Sequence, residues 1–99
     1  MIDLDFYTAR SIDFKIDGEI VRVQEPPAKI IKKMTALGKL KDEEKMLDKQ
    51  YEIVVDILNN NTSSKKFTKE IVENYPQSMI NAIISEITKL MGDLESSPN

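Results

Sequence analysis

An α+β fold, mostly α, is what the sequence predicts: an N-terminal β-hairpin at about residues 11–25, followed by about four helices in a small bundle. Three observations carry this. Asp17-Gly18 lies between two runs of alternating apolar residues, and beyond Ala28 the apolar residues recur three and four apart. The length of 99 residues suffices for one modest core and not for two, so the chain reads as a single domain over 1–99.

The hairpin follows from its turn. Asp17-Gly18 suits a two-residue type I′ loop, because both positions need positive φ, which Gly and Asp tolerate. Counting outward pairs Ile16 with Glu19, Lys15 with Ile20, Phe14 with Val21, Asp13 with Arg22 and Ile12 with Val23. One face then carries Ile12, Phe14, Val21 and Val23, while the other carries the opposite-charge pair Asp13 and Arg22. A two-stranded ribbon is marginal alone in water. Its apolar face must therefore pack on the helices or against another copy of the chain, with Phe14, Val21 and Val23 as the contact residues in the second case.

Pro26 and Pro27 end the second strand by removing ladder donors, and both suit the first turn of a helix. That helix is expected over about 27–37, with Ile30, Ile31, Met34 and Leu37 on one side, Lys29, Lys32 and Lys33 on the other, and Gly38 at its end. A second is expected over about 42–58, opened by Asp42 as N-cap with acids in its first turn. Its apolar residues spread over about 200° of the wheel, too broad an arc for a peripheral helix, so it should be central. After the polar loop NNNTSSKKF, Thr68 caps a short helix over about 68–74, with Phe67 and Val72 spaced as a hydrophobic staple. Pro76 restarts the chain as a last helix over about 76–91. There Met79, Ile80, Ile83, Ile84, Ile87, Leu90 and Met91 fill about 140° of the wheel. A frayed polar tail is expected over 92–99.

Composition narrows the function. The chain has no Cys and no His, which removes thiolate nucleophiles, imidazole bases and disulfides and leaves only oxygen ligands for a metal. Asp13 and Asp17 are four apart in an extended ribbon and do not converge as calcium ligands, so no metal and no cofactor is expected. No serine has a recognisable activating partner, and Glu43, Glu44, Glu70 and Glu73 are explained by helix first turns; no enzyme activity is expected. A net charge of −3 lacks the basic excess of a nucleic-acid binder. With no run of about 18 apolar residues and an acidic opening, MIDLDFYTAR, neither a membrane span nor a signal peptide is expected, and a cytoplasmic location is.

One stretch departs from the acidic average. Lys29, Lys32, Lys33, Lys39 and Lys41 fall between Pro26 and Lys41 without an acid. Two readings stand: a solvated face paired with the acidic run that follows, or a docking surface for an acidic partner. The Ile83, Ile84 and Ile87 row is open in the same way, offering helix-in-groove anchors if exposed and core if not.

The order of these elements resembles a known family. A hairpin of the form F-x-I-D-G-E-x-V-x-V, then Pro, a basic helix, a longer helix ending in I-L, a polar loop and a final F-T-K-E-I-V-E-N-Y-P-Q-S-M-I-N-A-I-I-S-E-I is similar to the small tail assembly chaperones of long-tailed phages and prophages of Gram-positive bacteria, over about residues 11–91. The resemblance implies a non-enzymatic assembly factor, absent from the mature virion, that binds the tape-measure protein. It also implies contact with tail-tube subunits and homo-oligomers, with no nucleic-acid or membrane partner. The competing expectation is a small regulatory or adaptor module of phage or prophage origin acting through Lys29, Lys32 and Lys33.

Overall fold

The computed structural model describes residues 1–92 and is a small α+β domain. Its elements are α1 (Asp5–Thr8), β1 (Ser11–Ile16), β2 (Glu19–Gln24), α2 (Lys29–Leu37), α3 (Glu43–Asn59), α4 (Lys69–Glu73) and α5 (Gln77–Gly92). Apart from Gly92, which closes α5, the expected frayed tail lies outside the described residues.

β1 and β2 pair antiparallel in the register counted from the turn, from Ser11 opposite Gln24 to Ile16 opposite Glu19. Asp17 and Gly18 take φ of 53° and 81°, the left-handed region that a type I′ turn requires. At the open end, Glu25 N–H donates to Arg10 C=O at 2.9 Å and the Arg10 guanidinium reaches the Glu25 carboxylate at 3.1 Å. The hairpin is thus clamped at both ends. Its apolar face packs inward on the helices: Val21 and Val23 are buried, Ile12 and Phe14 half-buried, and Ile16, two residues beyond Phe14 on the same side, is buried with them.

Four helices match the expected ones to within two residues at each end. The Asp42 carboxylate accepts from the N–H groups of Glu44 (3.0 Å) and Lys45 (3.3 Å), and the Thr68 hydroxyl accepts from Ile71 N–H (3.2 Å). Both staple residues, Phe67 and Val72, are in the core. The additional helix, α1, has no apolar periodicity to announce it. Short-range bonds close it, Asp5 N–H to the Asp3 carboxylate at 3.0 Å and Thr8 hydroxyl to Asp5 C=O at 2.9 Å, and it buries nothing.

α3 is central: it touches α2, α4, α5 and β2, while α5 also lies against β1. Ile53, Val54, Ile57 and Leu58 of α3 form one cluster with Ile80, Ile83 and Ile87 of α5, Ile30 of α2 and the hairpin residues. The polar loop after α3 is more ordered than its composition suggests. Asn59 exchanges two hydrogen bonds with the Phe67 backbone, and Asn61 donates to the carbonyls of Leu58 (2.7 Å) and Lys65 (3.0 Å). Asn60 C=O accepts from Gln24 N–H at 2.9 Å and Thr62 N–H donates to Arg22 C=O at 3.1 Å. The loop therefore lies along the outer edge of β2 as a fragment of a third strand.

Candidate partner-binding groove

A groove of about 530 Å³ opens between α2, α3 and the start of α4. Its apolar surface comes from Ala36, Leu37 and Leu40 on one side and from Ile53 and Val55 of α3 on the other. Its rim is charged. Lys33 bonds Asp56 at 2.6 Å, tying α2 to α3, and Lys49 pairs with Glu52 at 3.3 Å along α3. Lys69 reaches Asp48 at 2.9 Å, tying α4 to α3. The hydrogen-bonded carboxylates beside Lys33 and Lys69 hold both ammonium groups above the ordinary lysine value. An apolar floor with paired charges around it suits apolar side chains projecting from one face of an amphipathic helix.

Of the anticipated site residues, Lys33 alone lines this groove. Its ion pair with Asp56 is the intramolecular pairing with the following acidic helix that the lysine run allowed. Lys29 and Lys32 are exposed and have no ion-pair partner among the described residues, whereas Lys33 is held by Asp56. In the Ile row, Ile83 and Ile87 are 3% and 0% exposed, and only Ile84 is half-buried; the core alternative is the one the fold adopts for the first two. Val21 and Val23, at 2% and 0%, offer no surface to another chain, whereas Phe14 is half-buried and does.

The groove was missed because its signal is indirect. Leu40 lies beyond Gly38, where the helix periodicity has stopped, but a turn continues the chain through Lys39 N–H to Ala36 C=O (3.1 Å) and Leu40 N–H to Leu37 C=O (3.2 Å). Val55 stands on the flank of the wide apolar arc of α3 and is left half-buried. A second unforeseen feature is the exposed apolar stretch Ile2, Leu4, Phe6 and Tyr7, with the two rings edge to face at 5.4 Å.

Asp13 binds Arg22 through both oxygens at 2.8 and 3.2 Å, a hydrogen-bonded pairing that lowers the carboxyl and raises the guanidinium. Among the described residues no three acids gather to hold a metal ion, and no helix is long and apolar enough to cross a membrane. Compared with known proteins, the chain matches no family model, no curated protein and no solved structure.

Proposed function

We propose that this chain is a non-enzymatic assembly chaperone of a long-tailed phage or prophage, which binds the helical tape-measure protein in the host-cell cytoplasm and assists tail-tube assembly. The groove between α2, α3 and α4 carries the reading. Its apolar floor can shield anchors at helical spacing on a long partner that would otherwise aggregate, and its charged rim keeps the empty site in water. The order of hairpin, basic helix, long helix and final apolar helix, similar to that of the small tail assembly chaperones, supports the same reading.

One observation favours a second reading, a regulatory adaptor: Lys29 and Lys32 stand without acidic partners among the described residues. Co-expression with the tape-measure protein of the same genome, followed by pull-down, separates the two. Ala36→Glu places a charge in the groove and should abolish capture, whereas Lys29→Glu with Lys32→Glu should leave it intact. Capture that survives Ala36→Glu and is lost with the two lysines selects the adaptor. No complex and no gain in partner solubility removes the chaperone reading.

A further inference from the structure

The two edges of the hairpin differ. On β2, Arg22 C=O accepts from Thr62 N–H and Gln24 N–H donates to Asn60 C=O, so this end of the edge is covered by the loop. On β1 the bond from Glu25 N–H to Arg10 C=O sets the parity, so Ser11, Asp13 and Lys15 point their N–H and C=O groups away from β2. Nothing among the described residues meets those groups, and all three residues are exposed. Such an edge is a template for another strand.

The side chains on this edge select among the strands it could accept. If β1 met a second β1 with Asp13 opposite Asp13, two carboxylates would face each other. Shifted so that Asp13 stands opposite the partner's Lys15, the same edge is self-complementary. We infer that β1 pairs antiparallel with β1 of a second copy of this chain in that register, giving a continuous four-stranded sheet around a two-fold axis at Phe14. Asp13 and Lys15 then exchange backbone hydrogen bonds with their counterparts, and each charge meets its opposite on the polar face, beside the Asp13–Arg22 pair. On the other face the half-buried Phe14 meets the partner's Phe14, which covers the ring surface that its own chain leaves open. A two-stranded ribbon, marginal in isolation, becomes four strands. β1 contributes no residue to the groove, so the dimer and the bound partner are compatible.

Sedimentation equilibrium over a range of concentrations, with amide hydrogen exchange on the same samples, tests the contact. The mass should rise from 11.3 kDa to twice that value as the amides of Asp13 and Lys15, but not that of Ser11, become protected. Lys15→Glu puts like charges at both mixed pairs while leaving the exposed position free to fold, and should weaken dimerisation about tenfold or more. Asp13→Lys with Arg22→Glu should do the same alone, and the two variants mixed should form a heterodimer. A mass of 11.3 kDa at every concentration overturns the inference. So does a dimer in which Asp13 and Lys15 exchange freely, as a contact through the exposed Phe6 region would give, or one in which Lys15→Glu associates as tightly as the parent.

Discussion

Replacing Asn59 with alanine removes two hydrogen bonds at once: Phe67 N–H to Asn59 Oδ1 at 2.7 Å, and Asn59 Nδ2–H to Phe67 C=O at 2.9 Å. These bonds hold the backbone of a residue whose ring is 3% exposed, and they position the strand-like segment that covers the β2 edge. Each such bond nets about 0.5–1.5 kcal/mol, but Asn59 itself is exposed and water can re-solvate one side. A loss of about 1–2 kcal/mol follows, or about 4–16 °C in Tm for a domain of this size. Asn59→Asp keeps an acceptor for Phe67 N–H but sets a second carboxylate oxygen against Phe67 C=O where the donor stood, so at neutral pH it should remain destabilised relative to the parent. Thermal and urea unfolding followed by circular dichroism measure both. An alanine variant within about 0.5 kcal/mol of the parent would refute the claim that this clamp, rather than burial of Phe67 alone, fixes the loop.

Leu58 is fully buried at the centre of the cluster, and Leu58→Ala should cost about 2–5 kcal/mol in urea unfolding, well above any exposed substitution on α3. Asp42→Ala deprives two N–H groups at the start of α3 of their acceptor and should cost about 1 kcal/mol, with Asp42→Ser largely restoring it. The hydrogen bond from Arg22 holds the Asp13 carboxyl below its ordinary value, so the stabilising ion pair is complete above about pH 4 and is lost as pH falls through that lowered value. An NMR titration of the Asp13 side chain should therefore move toward the ordinary carboxylate midpoint in Arg22→Ala; an unchanged midpoint rejects the assignment.

Local rules made most of the fold legible before any coordinates. The hairpin register follows from Asp17-Gly18, since a two-residue turn leaves no freedom in pairing, and the starts of α3 and α4 follow from Asp42 and Thr68, whose side chains do what N-caps do. The central place of α3 follows from the width of its apolar arc. What stayed hidden depends on contacts between distant segments. Asn60 and Thr62 read as generic turn residues, and only the approach of β2 gives them backbone partners along its edge. Periodicity showed that Ile83 and Ile87 lie on an apolar face, but whether that face meets a partner or the core depends on where α3 and β1 come to lie. The groove was hidden for the same reason, because it belongs to no single element.

Element lengths explain the groove and give it a test in which stability and binding part company. At 1.5 Å per residue, the 17 residues of α3 run about 25 Å, against about 13 Å for the nine of α2 and about 7 Å for the five of α4. Neither flanking helix can cover α3 along its length, and the gap between them exposes Val55 and Glu52 beside Ala36. Ala36→Leu extends an exposed side chain over that gap. Partial burial of its added carbons should raise stability by up to about 1 kcal/mol while narrowing the space for a partner's anchors. If the gap were only a packing defect, filling it would stabilise the protein and leave capture of the proposed tape-measure partner unchanged. A binding groove requires the two readouts to move in opposite directions, and a variant that is both more stable and equally competent would show that this surface is not where the partner binds.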